Sequence, residues 1–259
     1  PRQIRRPMMG CPEVPAVSPL KLSAETVRVI VVAGIPYGVV VAGVGSRLAM
    51  LLLRVTSPDR VIGVQSDDGF TIGRFTIAGT YNLLLIGALV GIIGAAAYRL
   101  VAPRLIGPTW FRRLTVGLAS GAVVGSMLVH ADGVDFTELK PTWLAIGLFV
   151  TLPALFGTFI GSAVDTVSAR DSWTAAGRRR WLLPLVAIAL FPPTILPIVI
   201  VAAIVGLTTA IGEVEGVRDL RRNAIVTLII RAAWLLIATA GLNALINDMA
   251  ELTWRNPGT

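Results

Sequence analysis

The sequence predicts an all-α protein, a polytopic transmembrane helical bundle of about six spans. Its 259 residues are 54% hydrophobic and 15% charged, with a mean hydropathy of +0.76, whereas soluble domains carry roughly 25% charged residues. A hydrocarbon layer of about 30 Å needs about 20 apolar helical residues to cross it. The sequence has six long apolar runs: Val29–Ser46, Phe75–Tyr98, Leu114–Val129, Trp143–Val164, Leu182–Ile211 and Ala224–Leu245.

Basic residues between the runs predict the orientation. With six spans, 14 Lys and Arg fall on the same side of the membrane as the N-terminus and 7 on the other side. This bias predicts that both termini lie on the cytoplasmic side of a bacterial plasma membrane. Leu182–Ile211 leaves an alternative open, because Pro192, Pro193 and Pro197 interrupt it: one kinked helix, or a re-entrant pair. If this stretch crosses twice, Arg218–Arg222 joins the cytoplasmic side, the C-terminus leaves it, and the bias becomes 16 against 5.

Glycines spaced four residues apart predict how the helices pack, because this spacing lets two helix backbones approach closely. It occurs in each of the first four runs, at Gly34/Gly38, Gly87/Gly91, Gly117/Gly121/Gly125 and Gly157/Gly161. The last two runs lack such a pair. We therefore expect a mobile cytoplasmic tail over residues 1–23, a four-span core of two helical hairpins over 24–169, and a C-terminal pair over 170–259, made of a kinked span and a final span.

A short internal repeat favours the two-hairpin core. Asp68-Gly69-Phe70-Thr71 precedes the second run, and a segment from Asp132 to Thr137 precedes the fourth. Each follows an odd-numbered span, so both loops are predicted to face the same, non-cytoplasmic side, as in a parallel duplication. Chance is the alternative explanation for a match of four residues.

The loops on that side collect polar residues that predict a ligand site. The candidate ligand-binding carboxylates are Asp67, Asp68, Asp132 and Asp135, and the candidate metal ligands are His130, Asp132, Asp135 and Glu138. Carboxylate oxygens and an imidazole nitrogen suit a divalent cation. No spacing matches a defined metal motif, however, and a solvated acidic loop with an Asp-Gly turn is the alternative. The sequence specifies no cofactor.

Two arginines inside or beside apolar runs are further candidates. Arg47 ends the first run and Arg231 lies in the sixth, and charge at membrane depth is costly unless it serves a function. In the six-span topology both fall toward the outer leaflet. Arg47 is then expected to pair with Asp67, Asp68 or Asp132, or both guanidinia face one cavity and bind an anion such as a lipid phosphate. Snorkelling to the headgroups is the alternative.

Several function classes lack their motifs in this sequence. There is no His-Glu-x-x-His for a zinc protease and no Gly-x-x-x-x-Gly-Lys-Ser/Thr for a P-loop nucleotidase. Ser120 lies in Gly-Leu-Ala-Ser-Gly rather than the Gly-x-Ser-Gly of intramembrane serine proteases. Cys11 is the only cysteine, so no intrachain disulfide or thiolate cluster forms. The net charge of +8 lies beside apolar runs, which indicates headgroup contact rather than nucleic acid. We expect no enzyme and no catalytic residue.

Three segments resemble those of uncharacterised polytopic membrane proteins of actinobacteria, over roughly residues 25–165. They are Gly45-Ser46-Arg47-Leu48-Ala49-Met50, the stretch from Asp67 to Thr76, and the stretch from His130 to Phe136. The resemblance implies a bacterial plasma-membrane location and carries no activity. The C-terminal pair departs from it.

Two functions from different classes follow. In the first, the protein binds or transports an ion, lipid or small anion at the polar mouth on the non-cytoplasmic side, which predicts a polar cavity among the first four spans. In the second, it is a non-catalytic subunit of a larger membrane complex, which predicts a close-packed core and docking of a membrane-protein partner through the C-terminal helices. Membrane lipids are expected partners in both.

The predicted orientation can be tested by thiol labelling in intact cells. In a Cys11→Ser background, cysteines at Ser66 and Gly133 should react with a membrane-impermeant reagent, because both positions lie in the predicted outer loops. Cysteines at Pro108 and Thr174 should not react. Labelling of the second pair in place of the first would reverse the orientation.

Overall fold

A computed structural model of the chain describes residues 19–65, 75–130, 133, 136, 139–169, 171–211 and 224–255. The structure is 88% helical, without a β-strand in the described ranges. The α-helices of these ranges are α1 (Pro19–Tyr37), α2 (Gly45–Thr56), α3 (Ile77–Val101), α4 (Thr109–Leu128), α5 (Thr142–Ser168), α6 (Arg179–Leu190), α7 (Ile195–Ile211) and α8 (Ala224–Arg255). The predicted all-α membrane bundle is confirmed.

The number of membrane-spanning helices differs from the six predicted. By length and composition, the described residues contain four candidate spans: Ser23–Thr56, Ile77–Arg104, Thr142–Ser168 and Ala224–Trp254. A fifth is counted if α6 and the helix after it form one bent span. The predicted third span corresponds to α4, which is not among the candidates because Arg112 and Arg113 lower its hydropathy.

The first helix is longer than its apolar run. It continues from α1 through a π-helical segment, Gly38–Val44, into α2, so the whole stretch forms one long span. Pro36 lies just before the π-helical segment, and proline removes a helix hydrogen bond. The wider turn brings Gly38 and Gly43 against α3. Arg47 therefore lies within a continuous helix, in the part that approaches the hairpin connection, and is not its last residue.

Glycine contacts hold α1 against α3 and α4 against α5. A methyl group on Gly34 would stand 2.6 Å from the carbonyl oxygen of Gly91, and one on Gly87 would stand 2.6 Å from that of Gly38. Atoms at this separation clash, so only glycine permits the approach. In the second pair, a methyl group on Gly157 would stand 2.6 Å from Ser120 Oγ. The close packing predicted from the glycine spacing is confirmed in all four helices.

The described parts of the two hairpin connections lie at the same end of the bundle. Lys140 N donates a hydrogen bond to Ser57 Oγ at 2.9 Å, and Ser57 Oγ donates to Lys140 O at 3.2 Å. Val61 of the first loop packs with Val129 and Phe136 of the second in a common apolar cluster. We call this end, which holds Ser57, Val129 and Lys140, the hairpin end.

The opposite end, which we call the basic end, holds Glu25, Arg104, Asp165 and Arg180. Arg180 Nη2 donates to Glu25 Oε2 at 3.0 Å, so α6 begins beside the start of α1. Asp165 near the end of α5 accepts a bond from Tyr98 near the end of α3. The termini of these helices therefore alternate between the two ends as expected for two hairpins.

The interrupted apolar run Leu182–Ile211 forms two separate helices instead of one kinked helix. Its two helices, α6 and α7, meet at 114°. Pro192 and Pro193 lie at the break, where proline can neither donate a helix hydrogen bond nor tolerate a helical residue before it. Tyr81 OH donates to the carbonyl oxygen of Leu190 at 3.2 Å, which satisfies an acceptor that the break leaves open. Two helices at this angle form a broken span or a re-entrant pair, and not one kinked helix.

The direction of α8 corrects the six-span topology. A methyl group on Gly241 would stand 2.8 Å from Val123 Cα, and Arg231 contacts Arg104, which precedes α4. Leu252 packs in the apolar cluster of the hairpin end. Hence α8 runs parallel to α4, whereas six spans require the last and the third to be antiparallel. Because α6 and α8 both begin at the basic end, the chain between their starts makes no net crossing.

This direction predicts the side on which the C-terminus is accessible. A cysteine at Trp254, in the Cys11→Ser background, should react with an impermeant thiol reagent in the same preparation as one at Gly133, because α8 ends at the hairpin end. A cysteine at Pro108 should react only after the membrane is opened. If the Trp254 position labels together with Pro108, the parallel arrangement of α4 and α8 is wrong.

Candidate functional site: an arginine cluster at the basic end

Arg47 lies at the hairpin end, beside the start of α3. Its Nη2 donates to Thr80 Oγ1 at 3.0 Å, and its guanidinium lies over the ring of Phe75 at 5.7 Å from the centroid. The side chain is half-buried. A cation over an aromatic face is stabilised even near the membrane interface. The ligand-binding role predicted for Arg47 stays a prediction.

The acidic partners predicted for Arg47 and for a metal ion lie outside the described residues. This holds for Asp67, Asp68, Asp132, Asp135 and Glu138.

His130 is the one predicted metal ligand among the described residues. It is exposed, and its Nδ1 lies 3.0 Å from the carbonyl oxygen of Leu128. No group of three His, Cys, Asp or Glu that could hold a metal ion occurs in the described part of the chain. The metal hypothesis stays a prediction.

Arg231 does not share a cavity with Arg47. Its Nε donates to the carbonyl oxygen of Arg104 at 2.6 Å. Arg104 follows the end of α3, whereas Thr80, the partner of Arg47, lies in the first turn of that helix. A helix rises about 1.5 Å per residue, so the two arginines are separated by about 35 Å. The expectation that both face the outer leaflet is therefore wrong, because α8 runs in the opposite direction.

Three arginines converge instead on the carboxyl end of α3. Arg104 Nη1 donates to the carbonyl oxygen of Leu100, Arg112 Nη1 donates to that of Ala102 at 3.3 Å, and Arg231 Nε donates to that of Arg104. They come from the turn Ala102–Arg104, from α4 and from α8. The last carbonyls of a helix have no intrahelical partner, and Arg104 satisfies one of them, while Arg112 and Arg231 donate to carbonyls of the turn Ala102–Arg104 that follows α3. We call these three residues the arginine cluster.

The arginine cluster carries more positive charge than the described residues around it balance. The carboxyl end of a helix supplies a partial charge of about −0.5, against three guanidinia. Within the described ranges, none of the three forms an ion pair with a carboxylate. Arg112 Nε is buried without a hydrogen-bond partner in the described structure. All three side chains are half-buried, and each guanidinium has further N–H donors. The arrangement is suited to binding an oxyanion.

Two other arginines of the basic end, Arg28 and Arg113, are paired with carboxylates. Arg28 is only 4% exposed, and its Nε donates to Glu25 Oε1 at 2.9 Å, while its Nη1 donates to the carbonyl oxygen of Thr174 at 3.3 Å. Arg113 Nε donates to Asp165 Oδ2 at 3.0 Å. These contacts hold the α5–α6 connection and α4 in place. Arg28 and Arg113 therefore have a structural role, whereas the arginine cluster has no carboxylate partner among the described residues.

Sequence reasoning missed the cluster because it treated Arg104 and Arg112 as orientation signals. Both lie in the basic connection between the second and third apolar runs, and nothing in their spacing links them to Arg231, 119 positions after Arg112. The one available signal was Arg231 itself, a charge inside an apolar run. Its partners were assigned to the wrong end, because the assignment depended on the direction of the last helix.

Comparison of the chain with protein-family models, with curated proteins and with solved structures found no match. The likeness to actinobacterial membrane proteins therefore stays a resemblance of short segments. The arginine cluster is the strongest functional feature that the geometry supplies.

The paired arginines predict a contrast in stability. Breaking a fully buried ion pair costs about 3–5 kcal/mol. Since Glu25 is 37% exposed and also pairs with Arg180, we expect Arg28→Met to cost on the order of 2 kcal/mol. Arg54→Met is the matched control, because its partner Asp59 is 91% exposed and such pairs contribute about 0–1 kcal/mol. Melting temperatures in one detergent measure both; equal shifts would contradict a structural role for Arg28.

Proposed function

We propose that this chain is a multi-pass membrane protein that binds the phosphate of an anionic lipid through the arginine cluster, Arg104, Arg112 and Arg231. The observation that carries the proposal is the convergence on one helix end of three guanidinia that have no carboxylate partner in the described part of the chain. Arginine binds phosphate through two parallel N–H···O bonds.

The depth of the cluster favours a lipid as the source of the phosphate. Trp110 is 65% exposed and lies within one turn of Arg112, and Trp181 is 60% exposed at the same end. Exposed tryptophans mark the headgroup level of a membrane. The cluster is therefore expected at the level of lipid phosphates. Under the positive-inside rule the basic end is cytoplasmic, and anionic lipids are enriched in that leaflet.

Packing favours binding over transport. The glycine contacts of α1 with α3 and of α4 with α5 bring backbones together where a polar passage among the first helices was expected. The described cavity, of about 390 Å³, lies at the hairpin end between α5 and α8, with Trp143 and Leu252 in its lining. It is on the side of the bundle. The predicted polar mouth on the non-cytoplasmic side remains a separate hypothesis, since most of its residues lie outside the described ranges.

The second function, a non-catalytic subunit of a membrane complex, draws support from α8. This 32-residue helix packs mainly along α4, and most of its surface is exposed. Exposure to lipid accounts for apolar side chains but not for polar ones at membrane depth. The two functions are compatible, because the exposed face and the arginine cluster use different surfaces of α8.

Lipid binding can be measured by native mass spectrometry of protein released from nanodiscs. Arg112→Gln with Arg231→Gln should lower the affinity for phosphatidylglycerol about 100-fold, since a hydrogen bond to a charged group contributes about 1.5 kcal/mol and each guanidinium loses its bond to the phosphate. The control is Arg178→Gln with Arg179→Gln, which removes the same charge from exposed positions of the same end.

Equal losses in the two double variants would show that only net charge matters, and would overturn the proposed site. Phosphatidylcholine should bind all variants weakly. If inorganic phosphate at millimolar concentration displaces the lipid from wild type, the cluster recognises free phosphate and the lipid assignment is wrong.

A further inference from the structure

The face of α8 that points away from α4 carries two asparagines. At 100° per residue, Asn243 and Asn247 lie about 200° and 240° around the helix from Gly241, which contacts Val123 of α4. Both asparagines are exposed. Neither side chain makes a hydrogen bond to any described residue. By contrast, Thr239 on the same helix satisfies its hydroxyl internally, by donating to Leu235 O at 2.8 Å.

These amides lie deep in the predicted bilayer. Because α8 is parallel to α4 and Gly241 lies beside Val123, the level of Trp110 corresponds to residue 228 of α8. At the other end, Trp143 and Leu252 line the same groove. Taking the two tryptophans as the interfacial levels, the middle of the membrane falls near residue 240. Asn243 is thus about 5 Å from the midplane.

A side-chain amide at this depth is unfavourable when it faces lipid, because hydrocarbon offers no hydrogen-bond partner. Asparagines in membrane helices commonly bond across to a neighbouring helix. The described helices do not supply that neighbour, since α8 meets α4 on its opposite face. The described part of the chain therefore leaves a specific polar requirement unmet.

We propose that α8 pairs with α8 of a second copy of this chain through the face formed by Ala240, Asn243, Ala244 and Asn247. A carboxamide both donates and accepts, so the same residue on two copies related by a two-fold axis is self-complementary. Ala240 and Ala244 are four residues apart on this face, which lets two backbones approach closely. The stretch holds no charged residue that would call for an oppositely charged partner.

Disulfide cross-linking in native membranes tests the proposed pairing. In the Cys11→Ser background, Ala240→Cys and Ala244→Cys should give a cross-linked dimer of this chain on mild oxidation. Leu235→Cys should not, although it is 61% exposed at a similar depth, because it lies about 120° around from Gly241. Cross-linking from all three positions, or from Leu235 alone, would overturn the assigned face.

A second measurement tests the identity of the partner independently of which face of α8 is in contact. Native mass spectrometry from nanodiscs should show dimers of wild type, and Asn243→Leu with Asn247→Leu should weaken dimerisation about tenfold or more while leaving the melting temperature of the monomer unchanged. Leu235→Ala, an exposed position on a different face of the same helix, is the control for altered side-chain volume. Wild type that remains monomeric at high protein-to-lipid ratio, or cysteines that cross-link to a different membrane protein, would overturn the second-copy assignment.

Discussion

The close backbone contact of α1 with α3 is the constraint on which the rest of the bundle depends. Gly34 and Gly91 face one another at a separation that no side chain tolerates. Dispersion and close packing, and not the exclusion of water, drive helix association in lipid, so this contact stabilises the pair only while both residues remain glycine. Tyr98 and Arg104 lie at the carboxyl end of the same helix. The residues of the basic end pack around this end of α3.

The charges of the basic end divide by whether the fold balances them. Arg28 and Arg113 have carboxylate partners and fasten connections between helices. Among the described residues, Arg104, Arg112 and Arg231 donate to carbonyl oxygens, Arg112 donates also to Thr109 Oγ1, and none of the three meets a carboxylate. The partial charge of these oxygens is small beside three guanidinia. Evolution of a membrane protein toward stability alone would favour neutral donors there, because burying unbalanced cations is costly. This unbalanced positive charge supports the proposed binding role of the arginine cluster, whereas the paired arginines have a structural role.

The direction of α8 explains several observations that a six-span topology does not explain together. With α8 parallel to α4, the sequence alternative in which Arg218–Arg222 belongs to the cytoplasmic side gives a bias of 16 basic residues against 5, which is stronger than the 14 against 7 of six spans. The same direction brings Arg231 to Arg104 and Leu252 to the hairpin end. One reversal of a helix thus relocates the candidate site.

The sequence by itself determined the all-α class, the positions of most helices and the glycine contacts, because each depends on local composition and spacing. It did not determine the direction of α8, since that depends on how the chain turns at Pro192 and Pro193, where one kinked span and a bent pair have the same hydropathy. Only the tertiary structure decided it, and with it the arginine cluster. Arg112 and Arg231 are brought together by helix packing, which no spacing in the sequence records.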